Sequence, residues 1–111
     1  MRYKKTGPVY ILRIDRGEEI VETLRRFCAE QKITLGTVQG IGAAGHVEIG
    51  LFETPTREYH TTTLTGDFEI TSLLGSITTM DGAPYLHLHA TIAGASHLAE
   101  VCARNEDRPF I

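Results

Sequence analysis

Hydrophobic residues recur with helical spacing over one stretch of this chain and with strand spacing over most of the rest. That asymmetry limits the fold more than any other feature. Ile20, Val21, Leu24, Phe27 and Cys28 fall at intervals of one, three, three and one, a stripe along one side of a helix. Glu19, Glu22, Arg25, Arg26 and Glu30 occupy the other side, so the helix lies on a core with one flank wet. Asp15 offers an N-cap with Glu18 three residues on, in the manner of a capping box, and the stripe runs out near Gln31 and Lys32.

The remainder reads as strands separated by turns. Residues 9–14 (VYILRI) form a first strand behind Gly7-Pro8. Residues 35–39 lead into Gly40-Ile41-Gly42, which reads as a tight turn. In residues 47–53 (VEIGLFE), Val47, Ile49 and Leu51 share one face, and Gly50 marks a bulge or a close backbone approach. Thr54-Pro55-Thr56 is a turn. Residues 59–64 (YHTTTL) are rich in β-branched threonine, and Phe68, Ile70, Leu73 and Leu74 anchor a further strand. Asp81-Gly82 is a hairpin signal ahead of the last strong strand, residues 85–92 (YLHLHATI). One helix followed by many strands on short turns defines an α+β fold with a largely antiparallel sheet. With 111 residues the chain has room for a single domain, residues 1–111, and a thin core that self-association would help to cover. Residues 100–111 (EVCARNEDRPFI) have no clear period and read as a shortened segment, a short strand or helix followed by a tail.

Charge narrows the function. Eleven basic residues stand against 14 acidic ones, a net charge of −3, which argues against a free-standing nucleic-acid binder. Arg2, Lys4 and Lys5 at the start, and Arg25 and Arg26 on the helix, are local clusters that read as solvated surface. Cys28 and Cys102 follow no motif; Cys28 falls on the helix's apolar side as a buried thiol, and a reducing compartment fits. No run in the chain is apolar and long enough for a leader or a membrane span, so a cytoplasmic location is the expectation.

The chemistry concentrates in Leu86-His87-Leu88-His89. Successive strand side chains alternate faces, so His87 and His89 point to one side, and Leu86, Leu88 and Ala90 to the other. Two imidazoles so placed can bind a divalent transition metal such as zinc when a third ligand joins them, and His97 lies one short loop later. Three imidazoles with an open position could polarise a ligand or activate a water. The plainer reading is polar filling on a solvent- or subunit-facing side. His46 and His60 read as surface or turn histidines. Glu48 and Glu69 are candidate partners of a metal-bound imidazole and, more simply, wet-face carboxylates. The sequence holds no nucleophile elbow, no P-loop and no full dinucleotide fingerprint; residues 36–42 (GTVQGIG) have the glycines of a phosphate loop without the following helix.

Three segments in this order carry a resemblance: Gly40-Ile41-Gly42-Ala43-Ala44, residues 66–77 (GDFEITSLLGSI), and residues 84–90 (PYLHLHA). The chain resembles the plants-and-prokaryotes-conserved domain family, found alone in bacteria and archaea and joined to AT-hooks in plants, from residue 9 to about Leu98. The resemblance implies a mostly antiparallel sheet packed with a helix, a homotrimer, an association with DNA or DNA-bound proteins, and a metal-site-like histidine cluster. That cluster maps onto His87, His89 and His97. The third family histidine sits in a Gly-Gly-His-Leu segment, replaced here by Ala95-Ser96-His97-Leu98. The chain lacks the Arg-Gly-Arg core of an AT-hook, and its residues 100–111 do not obviously supply the family's further strands. Three functions therefore compete: a trimeric association module working near DNA, a metal-dependent enzyme or ligand sensor built on the three histidines, and a trimer whose histidines merely fill polar space.

Overall fold

The computed structural model describes residues 1–94 and the backbone of residues 98–104. In order, the elements are β1 (Arg2–Thr6), β2 (Val9–Arg13), α1 (Ile20–Glu30), β3 (Gly36–Glu53), β4 (Glu58–Met80), β5 (Ala83–Ala93) and β6 (Leu98–Arg104). Strands β1 and β2 form a separate antiparallel two-stranded ribbon, and β3-β4-β5-β6 closes into an antiparallel barrel. Among the described residues, closure is made at the register pair of Gly50 of β3 with Cys102 of β6. The α+β, largely antiparallel architecture expected from the periodicities is the one observed.

Alternation builds the core. Along β5, Leu86, Leu88, Ala90 and Ile92 are all buried, and they meet Phe68, Ile70, Leu73 and Ile77 from β4. The helix seats Val21, Leu24 and Cys28 on the same cluster, packing against β5. The apolar stripe read from the sequence is thus the face that is covered. Burial also pushes the Cys28 thiol above its ordinary pKa, because a thiolate loses its hydration there. Phe27 turns to the ribbon, where Tyr3 and Tyr10 meet its ring edge-on at centroid distances of 5.0 and 5.2 Å.

Three local expectations need correction, and one open alternative is decided: of the strand or helix offered for residues 100–111, a strand forms, beginning at Leu98. Strand β1 escaped the sequence reading, because residues 2–6 are polar apart from Tyr3, lie at the surface and carry no apolar alternation. The helix begins one turn later than Asp15 implies: Glu19 is the N-cap, its carboxylate accepting from the Val21 and Glu22 amides at 3.2 and 2.5 Å. The Asp15/Glu18 pair still forms half of a capping box, the Asp15 amide donating to Glu18 Oε2 at 2.7 Å, but it caps a turn instead of the helix. Gly40-Ile41-Gly42 is no turn; the register slips there and again between Ala44 and His46, so two bulges bend one continuous strand. Residues 98–104 supply a strand, β6, that runs along the whole outer half of β5 from Ala93↔Leu98 to His87↔Arg104. Elsewhere the turn chemistry holds. Asp81 and Gly82 take φ of 53° and 79° between Met80 and Ala83, which pair directly, as a two-residue type I′ hairpin requires. A Cβ on Gly50 would lie 2.0 Å from the Tyr59 ring, the close approach that its place in the strand suggested.

The ribbon is tied to the start of the helix by charge. The Met1 ammonium donates to Glu18 Oε1 at 2.7 Å and Asp15 Oδ2 at 3.2 Å. The hydrogen bond to Glu18 raises the amine above its ordinary 8.0. The same ammonium holds Asp15 below 3.8 and Glu18 below 4.5. Lowered carboxylates add stability above their unfolded values, which is lost as pH falls through the folded ones. A raised amine adds stability below its unfolded value, lost as pH rises through the folded one. The tie is therefore fully present between about pH 4.5 and 8.0. The melting temperature of Glu18→Gln should fall below that of the native chain inside this window and approach it at lower pH; an equal gap at acid pH would mean that charge is not the cause.

Candidate metal centre

The inward row of β5 decides where its histidines go. With Leu86, Leu88 and Ala90 buried, His87 and His89 are forced to the outer face, His87 half-buried and His89 exposed. The two imidazoles lie side by side, with centroids 5.1 Å apart and planes inclined by 19°. They lean together at their tips, where the Nε2 atoms are 3.1 Å apart. Two nitrogens bound at about 2.05 Å to a tetrahedral zinc stand roughly 3.3 Å from one another. The spacing of this pair is therefore close to that of two ligands of one metal ion. It is equally the distance of a hydrogen bond in which one Nε2–H donates to the other ring's Nε2, a tautomer pair that a metal would replace.

Register defines the surroundings. His89 lies between Leu74 of β4 and Cys102 of β6, and His87 between Ser76 and Arg104. Leu74 and Ser76 are exposed beside the imidazoles. The nearness of positions 102 and 104 was not legible in the sequence, because it depends on the register of a strand with no clear period. Among the described residues no group of three or more His, Cys, Asp or Glu side chains could hold a metal, so the described centre is a pair. His97, the expected third ligand, lies outside the described residues.

The other candidates stand apart from the pair. His46 is exposed, with Thr65 Oγ1 3.4 Å from its Nδ1. His60 is exposed near the far end of the β3–β4 hairpin, its Nε2 2.8 Å from Glu53 and 3.8 Å from Glu58. Glu48 and Glu69 are exposed strand carboxylates, as the plainer reading of them had it. A concavity among the described residues lies elsewhere, between α1 and β3, among Ile20, Leu24, Val38, Gly42 and Ala44; it does not include the histidine pair. No helix among the described residues is long and apolar enough to cross a membrane.

A separate ribbon, one helix and a closed antiparallel barrel carrying a His-x-His strand define the class of protein. Residues 1–103 match the family model of the Plants and Prokaryotes Conserved (PCC) domain. The chain belongs to that family. Among solved structures it is similar to a protein from Bacteroides thetaiotaomicron VPI-5482 described as a putative DNA-binding protein, with 38% identity and a TM-score of 0.84 over 93% of this chain and 71% of that one. It is also similar to a plant- and prokaryote-conserved protein from Pyrococcus horikoshii, with 28% identity and a TM-score of 0.76 over 87% and 68%. A third similar structure is a metal-containing protein from Archaeoglobus fulgidus, with 25% identity and a TM-score of 0.78 over 89% and 76%. A comparison with curated proteins gives no match.

Proposed function

We propose that this chain is a PCC-domain association module that assembles as a homotrimer, works with DNA or DNA-bound proteins, and holds a divalent transition metal, zinc by its donor set, on His87, His89 and His97. The observation that carries the metal reading is the 3.1 Å approach of the two Nε2 atoms. Two neutral imidazoles are a good donor set for zinc, and a ligand site on a rigid strand is better held than one on a loop. When bound, the metal would act as a Lewis acid or as a structural clasp for the β5 face. The residues described supply its orientation: Leu86 and Leu88, locked in the core, fix the strand and so fix both rings.

Self-association is supported by what the single chain leaves uncovered. Leu35 is 78% exposed and Ile41 85% exposed, both lining the concavity between α1 and β3, and Leu74 stands half exposed beside the histidines. Exposed apolar side chains around the concavity and on the histidine-bearing face are what an association face would cover. The association with DNA rests on family membership and on the similar protein from Bacteroides described in those terms.

Elemental analysis of protein purified without chelator tests the metal, with light scattering alongside for the oligomer. One zinc-class ion per chain and a trimeric mass are expected. His89→Ala should lower metal content at least tenfold while leaving the circular dichroism spectrum unchanged, since its ring is exposed. A metal-free native protein that takes up no added zinc would leave a hydrogen-bonded imidazole pair and nothing more.

A further inference from the structure

The β1–β2 ribbon concentrates positive charge in an otherwise acidic chain. Residues 1–14 hold four of the 11 basic residues (Arg2, Lys4, Lys5 and Arg13) and none of the 14 acidic ones. Side-chain charge is thus +4 over the ribbon and −7 over residues 15–111, so the overall −3 conceals a polarised molecule. Such asymmetry is a mark of interaction with a polyanion. Sequence alone shows Arg2, Lys4 and Lys5 as a loose cluster; only the register, which sets Arg13 opposite Arg2 and Ile11 opposite Lys4, shows which charges stand together.

Alternation sorts the ribbon's two faces. Tyr3, Tyr10 and Leu12 turn toward the body of the protein, where the two tyrosines meet Phe27 and Leu12 joins the core. The Lys5 ammonium goes with them, 5.2 Å above the Tyr10 ring. The outward face holds Arg2, Lys4 and Thr6 on β1 with Val9, Ile11 and Arg13 on β2. The Arg2 and Arg13 side chains are 71% and 75% exposed. Asp15 is their nearest carboxylate, at 3.8 and 3.6 Å, and its shorter contact is with the Met1 ammonium at 3.2 Å. The guanidinium groups thus keep most of their donors for another partner.

We propose that this outward face, Arg2, Lys4 and Arg13, is the surface by which the protein grips the phosphate backbone of duplex DNA. The inference rests on the DNA-associated reading above and deepens it by naming the surface. A two-stranded antiparallel ribbon has the width to enter a major groove. Arginine forks pair with phosphate oxygens in bidentate fashion. Arg2 and Lys4 are spaced by roughly 6.8 Å along the strand and point to the same face, so both can reach one stretch of phosphate backbone. Val9 and Ile11, 54% and 63% exposed, sit beside these cations, where they could meet the sugar–base wall of a groove.

Fluorescence anisotropy with a labelled random-sequence duplex tests the surface, using the full chain in its native assembly. Three phosphate contacts per ribbon predict a salt slope near −2.7, a loss of roughly 40-fold in affinity between 50 and 200 mM salt. Arg2→Gln/Lys4→Gln/Arg13→Gln, checked by circular dichroism for intact fold, should lose at least tenfold in affinity at 50 mM salt, and Arg26→Gln on the exposed side of the helix should lose nothing. If the native protein binds DNA and the triple variant binds equally well, the ribbon is the wrong surface and the DNA-associated reading survives. If the native protein does not bind DNA at 50 mM salt, both the ribbon's assignment and direct DNA association are overturned together, and binding to vesicles containing phosphatidylserine would then assign the cationic face to a membrane surface.

Discussion

Gly75→Ala should destabilise the fold by about 3 kcal/mol or more, at the upper end of what overpacking costs. Position 75 lies in the middle of the β4–β5 ladder, directly paired with Leu88. A methyl group there would stand 2.3 Å from the carbonyl oxygen of His87, 2.5 Å from Leu88 Cδ2 and 2.9 Å from Leu88 Cα. Two of these three obstacles are backbone atoms, so no rotamer change relieves them. The strands would have to part at the centre of the β4–β5 ladder, which holds most of the barrel's inner row. For a domain of about 100 residues, 3 kcal/mol corresponds to a fall of roughly 12–24 °C in melting temperature. Gly45→Ala is the control: its new methyl would meet only the Gly66 carbonyl oxygen at 3.7 Å, an ordinary contact, and the melting temperature should move by a few degrees at most. Thermal unfolding at matched protein concentration decides the matter. Equal midpoints for the two variants would show that the β4–β5 ladder is more yielding than its geometry implies.

The contrast between those glycines bears on what could be read from sequence. Period and turn chemistry announced the helix stripe, the β5 alternation, the Asp81-Gly82 hairpin and the tight spot at Gly50, because each is a local property of a few neighbouring residues. The β1 strand was hidden because Tyr3 is its one apolar-bodied residue and gives no alternation; it exists through its ladder to β2 and through Tyr3 against Phe27. The bulges at 40–42 and 44–46 could pass for a turn, since glycine pairs serve both. The helix start was misplaced because Asp15 and Glu18 form a good local cap whose actual partners include the Met1 ammonium, 17 residues from Glu18. For the site, strict alternation placed His87 and His89 on one face, and the structure agrees. It could not give the 3.1 Å approach of their tips, nor that β6 runs beside them. Likewise the cationic face of the ribbon depends on Arg13 lying opposite Arg2, a relation between residues that lie on different strands of a hairpin.

Leu88→Ala and His89→Ala, changes at adjacent residues, are expected to have opposite consequences. Leu88 is fully buried, and its truncation removes the transfer free energy of three carbons and leaves a cavity in the core that β5 shares with the helix. A loss of about 2–5 kcal/mol follows, because the buried residues next to it in the ladder, Leu86 and Ala90 on β5 with Leu73 and Ile77 on β4, are held on strands that cannot close over the void. His89, one residue on, faces outward and is exposed. Its truncation should cost less than about 0.5 kcal/mol in metal-free protein, while weakening zinc retention as stated above. The pairing of the two results is more informative than either alone. If the metal clasps the β5 face, the native protein with zinc should melt higher than without it, by RT ln(1 + [Zn]/Kd), and Leu88→Ala should keep that increment on its lowered baseline while His89→Ala loses it. Denaturant unfolding of the three proteins with and without zinc gives all the midpoints needed. An increment that persists in His89→Ala would place the ion on other ligands, and an increment absent from all three would overturn the metal clasp on the β5 face.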